Sequence, residues 1–468
     1  MKRHNIFCFV KMVAFFALLS AVLWKTYEVL AWKDTTGDYL SSMQQLYSTP
    51  KNTLDVVFLG SSHCYCGVLP CRLWEQYGIA SFDMAVSGQD KSSTYHALLE
   101  TLKTQEPKVV FVEMYGLCFD RHAVEGNEYR NMLSMRTSLN SVALVNEYVE
   151  PERRADFLLR WPIIHTRFWE VGKYDYIPYE PSQYGRGASF QWGSYEEITP
   201  GDYQVTESGT LTNENEKWLQ RLWELKEDKG FEMVFFLMPL NVKREEQLQI
   251  NAAKEFAAAK GIPFLDFNSG RYELGLEDDK DYIDNFHCNV SGALKVTDYI
   301  GQYLKEHYEV ADHRGREEYS CWDKDLKWYY HEELADALAH EEAASAVARI
   351  TSVEDIMSVI SIDLEDGDTP EKYEETLRIF GLSASDIAQG GKWIYHNGEL
   401  TKILENQEGQ KEFCMDLSET DSLCVKYTGQ RTSSDIMVNH TEYLLSIVPV
   451  TIVNYDMFLK RIVHSIVL

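Results

Sequence analysis

Residues 55–63 read Asp-Val-Val-Phe-Leu-Gly-Ser-Ser-His, and residues 284–287 read Asp-Asn-Phe-His. The first stretch is an apolar run suited to one buried strand, ended by Gly60, where a chain turns easily, and by two serines. The second sets an acid three residues before an imidazole, just ahead of a segment with helical apolar spacing. A serine hydroxyl is a weak nucleophile until a base takes its proton, and a carboxylate behind that base fixes its tautomer. Ser62, Asp284 and His287 supply those three parts in that chain order. Each half alone is common, because Gly-Ser-Ser also makes an ordinary capped turn and Asp-x-x-His also marks a helix start. The alternating strand and helix patterns that lie between them tie the two halves to one fold.

Outward from the first stretch, apolar runs at 54–59, 81–86, 109–114, 233–238 and 264–267 are expected to be strands. Residues 69–77, 92–104, 214–227 and 247–260 repeat their apolar positions every three or four residues and are expected to be helices. Residues 290–308 form the closing helix, with Ala293, Leu294, Val296, Ile300 and Leu304 on one face. Nearly continuous apolar strands alternating with helices imply a parallel sheet covered on both faces. Such sheets bind ligands at the carboxyl ends of their strands, where Ser62, Gly88 and Tyr115 fall.

These blocks resemble the SGNH/GDSL hydrolase family over about residues 54–308, apart from an insertion. The family's Gly-Asp-Ser block is Gly60-Ser61-Ser62 here, with Ser61 replacing the aspartate. The resemblance implies a flavodoxin-like three-layer α/β core with Ser62 as nucleophile, His287 as base and Asp284 as its orienter. It also implies an oxyanion hole that includes Ser62 and Gly88 in Val86-Ser-Gly-Gln89, either completed by backbone N–H groups near Tyr115 and Gly116 or resting on those two alone. His63 is discounted as the base, because adjacent residues on a turn point apart. One departure stands out: the family's third block has an asparagine that donates to the oxyanion, and residues 112–117 read Val-Glu-Met-Tyr-Gly-Leu. Losing one such donor costs roughly 3 kcal/mol of transition-state stabilisation.

At 468 residues the chain should hold more than one domain, and 45% hydrophobic content with 13% aromatics suffices for packed cores. A net charge of −28, from 73 acids against 45 bases, argues against nucleic acid as a partner. Residues 6–24 are almost unbroken apolar sequence, about the length that spans a bilayer as a helix. Lys2 and Arg3 precede the run, and no small-residue cleavage site follows it. An uncleaved signal anchor over residues 1–33 is expected, with the rest of the chain outside the cytoplasm on a single-pass membrane protein.

The segment from about 120 to 212 does not alternate and is crowded with aromatics and arginines, including Arg160, Trp161, Arg167, Phe168, Trp169, Tyr174, Tyr176, Tyr179, Tyr184 and Trp192. Its place after the third strand puts it over the active-site edge, either as a lid or as a subdomain stapled to the core. The core domain is expected over residues 34–310, a charged helical connector over 311–349, and a compact strand-rich domain over 350–468. Strands there are expected at 356–362, 391–395, 422–427, 435–438 and 447–455, with Asn397-Gly398 as a hairpin turn. The last 120 or so residues resemble the interleukin-like EMT inducer domain, which implies a carbohydrate contact. Cysteine spacing fits no zinc motif, so the cysteines are expected as buried apolar thiols, with neither metal nor cofactor. An anchor, this core and Gly-Ser-Ser together look like the membrane-tethered SGNH proteins that modify envelope polymers, such as the D-alanyl-transfer protein of teichoic acids and alginate-type O-acetyltransferases. The implied partner is an acylated envelope polysaccharide. The alternative is a non-catalytic carbohydrate-binding scaffold that keeps the fold.

Overall fold

A computed structural model describes the chain except for residues 1, 32–39, 119–126, 177–184, 195–197, 200, 365–366, 407–410, 419–420, 428–435, 440 and 443–447. The chain divides into two compact units, Met1–Leu326 and Lys327–Leu468. The first opens with α1 (Lys2–Leu30), α2 (Leu40–Ser48), β1 (Val56–Leu59), α3 (Ser62–Gly67), α4 (Pro70–Tyr77), β2 (Ser81–Asp83), α5 (Lys91–Thr101) and β3 (Val109–Glu113). It continues through α6 (Tyr115–Cys118), α7 (Asn127–Leu133), α8 (Leu139–Tyr148), α9 (Arg154–Leu159) and α10 (Trp161–Ile164). Then come α11 (Asn213–Lys229), β4 (Glu232–Leu237), α12 (Arg244–Lys260), β5 (Phe264–Asp266), α13 (Val290–His307) and α14 (Ser320–Leu338).

The five strands pair in parallel in the order β2-β1-β3-β4-β5. Side chains alternate along each strand, so every strand feeds two cores. Val57, Leu59, Val110, Val112, Met233 and Phe235 face one layer, with Leu98 of α5, Leu144 of α8, Leu222 of α11 and Ala253 of α12. Val56, Phe58, Val109, Phe111, Val234 and Phe236 face the other, with Leu73 of α4 and Val296, Ile300 and Leu304 of α13. Each fully buried aliphatic or phenyl side chain contributes about 1.5–3 kcal/mol, which explains why the strands read as unbroken apolar runs. The second strand is shorter than expected, because after Asp83 the chain turns toward the site. Met84 N there donates to Phe58 O at 2.8 Å and Val86 N to Gly60 O at 3.1 Å.

Within α1, Cys8–Leu30 is long and apolar enough to cross a membrane. Among the described residues, the expected insertion is mostly helical from 127 to 176, ending in two 3-10 turns at His165–Trp169 and Lys173–Tyr176. Leu144, Val145, Val149 and Phe157 join the first layer's core. Residues 185–193 then form a strap. Asp83 N donates to Arg186 O, Ser189 N to Tyr65 O, and Val290 N to Gln191 O, at 2.8–2.9 Å. Tyr179 and Tyr184 lie outside the described residues.

The second unit adds α15 (Ala343–Ile350), β6 (Ile356–Ile362), α16 (Glu371–Leu377), α17 (Ala384–Gln389), β7 (Gly391–His396), β8 (Glu399–Leu404) and β9 (Lys411–Asp416). It ends with β10 (Ser422–Tyr427), β11 (Ile436–Val438), β12 (Thr441–Glu442), β13 (Val450–Asp456) and β14 (Arg461–Val467). Two antiparallel sheets result, β14-β13-β6-β7-β8 and β12-β11-β10-β9. On one face of the larger sheet, Ile356, Ile360 and Ile362 pack with helical Val347, Leu377 and Ile387. On the other, Met357 and Val359 pack with Leu423, Val425 and Ile436. Asn397 and Gly398 both take positive φ, 51° and 81°, as a two-residue hairpin turn requires.

Residues 311–349 are largely helical, and their apolar side chains join the packed cores: Tyr319 and Trp322 the first unit's, and Leu334, Leu338, Ala346 and Val347 the second's. One expectation changes here. The cysteines are not all thiols, since Cys414 and Cys424 stand opposite each other on β9 and β10 and form a disulfide. Cys64, Cys71 and Cys288 are buried as expected.

Candidate active site

The chain leaves β1 through Gly60, which packs so tightly on β3 that a Cβ would come within 2.5 Å of Glu113 Cβ. Only glycine fits there. The turn is held by Gly60 N donating to Gln89 Oε1 at 3.1 Å and by Thr94 Oγ1 donating to the same oxygen at 3.2 Å. Gln89 Nε2 in turn donates to Met84 O at 3.0 Å. One buried side chain therefore joins the serine turn to the Gly88 loop. Ser62 follows as the first residue of α3, just past the carboxyl end of β1.

The acid and imidazole lie on a tight loop before α13. Tyr282 and Cys288 pair as an isolated antiparallel bridge, and Ile283 N donates to His287 O at 3.0 Å. Asp284 Oδ1 accepts from the N–H groups of Phe286 and His287 at 2.7 and 2.8 Å, so the acid closes the turn that holds its own partner. Outside support comes from Asn241 N donating to Asn285 O at 2.9 Å and Thr199 N to Asn285 Oδ1 at 2.7 Å. Asn289 caps α13 and donates to Gly193 O and Lys280 O, both at 2.6 Å.

These two loops bring the expected residues together. His287 Nε2 lies 2.8 Å from Ser62 Oγ, and His287 Nδ1 lies 3.0 and 2.9 Å from the two oxygens of Asp284. With the proton on Nδ1 donated to the carboxylate, Nε2 carries the lone pair that accepts from the serine hydroxyl. Partial burial works against the charged form of Asp284, but the hydrogen bonds from His287 and the Phe286 and His287 amides outweigh it and hold the carboxyl below its usual value.

His63 has a different setting. Its Nδ1 lies 3.0 Å from Ser61 Oγ, its ring stacks on His287 at 5.1 Å between centroids, and Tyr115 meets it edge-on at 4.5 Å. Beneath Ser61, burial pushes the Glu113 carboxyl up to about 8, with the polar groups around it only partly offsetting the effect. Burial likewise raises Asp83 to about 7, where it accepts from Cys64 Sγ at 3.3 Å. Both acids are protonated in an appreciable fraction at neutral pH.

A cleft of about 310 Å³ opens over Ser62 and His287, lined also by Ser61, His63, Ser87, Gly88, Gln89, Asp90, Tyr115, Gly116 and Phe286. All three expected oxyanion donors therefore border it. They are not equivalent, since the Gly116 amide faces the Glu113 carboxyl. Among the described residues, no protein partner is recorded for the Ser62 and Gly88 N–H groups. No described residue of the 120–212 insertion lines the cleft, but its Gly193 and Thr199 hold the loop that carries Asp284 and His287. Its helices are drawn instead to the apolar layer beside α5 and to the end of α1. The grouping of Glu412, Cys414 and Cys424 is close enough for a metal, but its two sulfurs are already bonded to each other.

The sequence signal for Glu113 is an acid that ends an otherwise apolar strand. Asn241, Asn285 and Asn289 carried no such signal, because their partners are backbone groups distant in the chain. No family model matches this chain, and comparison with curated proteins finds no match.

Proposed function

We propose that this chain is a serine esterase or acyltransferase of the SGNH type, held to a membrane by α1 and acting outside the cytoplasm on acyl esters of envelope polysaccharide. The observation that carries this reading is the continuous hydrogen-bonded path Ser62 Oγ, His287 Nε2, His287 Nδ1, Asp284, opening onto a cleft. Support also comes from the strand order, which is that of flavodoxin-like sheets, and from the position of the path at the strands' carboxyl ends. In this reaction Ser62 Oγ bonds to the ester carbonyl carbon as its proton passes to His287 Nε2. The tetrahedral oxyanion is met by the Ser62 and Gly88 amides. The C–O bond to the sugar then breaks, and the leaving oxygen takes the proton from His287. Water as the second acceptor gives hydrolysis, and a sugar hydroxyl gives transfer.

A second reading, a carbohydrate-binding scaffold without turnover, is favoured by the missing third-block asparagine and by the engaged Gly116 amide. Release of acyl groups from an acylated polysaccharide separates the two. The full chain should release or transfer them, and Ser62→Ala should not. Equal rates for both proteins would end the enzymatic reading.

A further inference from the structure

The outer end of α1 is gripped by the inserted segment. Trp24 Nε1 donates to Glu28 Oε1 at 2.7 Å and Lys25 pairs with Glu28 at 2.5 Å, so polar contacts begin within the last two turns of the helix. Tyr27 meets Trp161 edge-on at 6.1 Å, and the Arg167 guanidinium donates to Leu30 O and Ala31 O at 2.9 and 2.8 Å. Asp175 holds Arg167 from the other side at 3.0 Å. Residues 161–176 are therefore fixed where α1 meets water.

From this fixed segment, and from Leu159 just before it, large apolar side chains point away from the protein. Trp169 is 84% exposed, Tyr176 71%, Leu159 64% and Phe168 52%, and the Phe168 and Trp169 rings pack together at 4.1 Å. Such a cluster is costly in water, whereas tryptophan and tyrosine favour the bilayer interface, where one end of the ring is apolar and the other wet. We propose that residues 159–176 form an aromatic foot lying in the headgroup layer of the bilayer that α1 crosses. The proposal rests on the membrane reading of α1. Continuity with that helix is what selects lipid over a second copy of the chain as the occupant. The chain's net charge of −28 makes attraction to anionic headgroups an unsuitable driving force, so the contact should form on zwitterionic lipid.

The test uses the full chain in phosphatidylcholine vesicles doped with a lipid bearing a photoreactive diazirine at the top of its acyl chain. After irradiation, adducts are mapped by peptide mass spectrometry. Adducts are expected on α1 and on the peptides carrying Phe168, Trp169 and Tyr176. The double variant Phe168→Ser, Trp169→Ser should lose most of the second set and keep the first; both side chains are exposed, so folding is not at stake. Adducts on α1 alone overturn the foot, as do chain-to-chain cross-links at Phe168 or Trp169 in place of lipid. Absence of adducts from α1 as well overturns the membrane reading with it.

Discussion

Two serine–imidazole pairs share one cleft. Ser62 faces His287 at 2.8 Å and Ser61 faces His63 at 3.0 Å, and the two rings stack. The difference lies behind the rings. Asp284 sits against His287 Nδ1, leaving Nε2 to accept from Ser62, while His63 turns its Nδ1 to Ser61. Ser61 is also buried above a carboxyl that burial keeps largely protonated. The same two side-chain types thus have different prospects, set by the Asp284 carboxylate behind His287 and by the burial of Ser61.

Substitutions can break this contrast, and the largest effects should fall on the carboxylate-backed pair. Ser62→Ala and His287→Ala should each lower kcat/KM on a simple aryl ester by about 10⁴-fold or more, with thermal melts confirming the fold. Asp284→Asn keeps the shape but favours the wrong tautomer, and should cost about a hundredfold or more. That is less than the loss of the base, because Asp284 is partly exposed and water can assist. His63→Ala should cost less than about tenfold in the same assay. A dead His63→Ala beside an active His287→Ala would reverse the assignment of the two pairs.

The smallest effect on rate should come from Glu113→Gln, which is expected within about twofold near neutral pH because it resembles the protonated acid. Its signature is in stability. The folded value of about 8 lies above the ordinary 4.5, so the stabilisation is full below 4.5 and is lost as pH rises through 8. Thermal melts between pH 5 and 8 should therefore fall less steeply in Glu113→Gln. Asp83, raised to about 7, keeps part of the slope. An unchanged slope would mean that Glu113 is ionised in the folded protein.

The sheet and the three site residues were legible because local patterns encode them: β1, β3 and β4 are apolar on both faces, and Asp284 closes its own turn onto His287. What was not legible depends on distant partners. Within the 120–212 segment, Trp161 answers to α1, Leu144 and Phe157 to the layer beside α5, and Gly193 and Thr199 to the site loop, a division with no periodic trace. The Cys414–Cys424 pairing follows from β9–β10 register, which spacing alone does not fix. The hydrogen bonds of Asn285 to Thr199 and Asn241 cross tens of residues and leave no periodic trace.

The central claim, that Ser62 and not Ser61 is the activated nucleophile, is tested most directly by a fluorophosphonate probe on the full chain, with the adduct located by tandem mass spectrometry. The expected result is a single adduct on Ser62, absent from Ser62→Ala and strongly slowed in His287→Ala. An adduct on Ser61, or no adduct on the folded protein under conditions that label a known serine esterase, would contradict it.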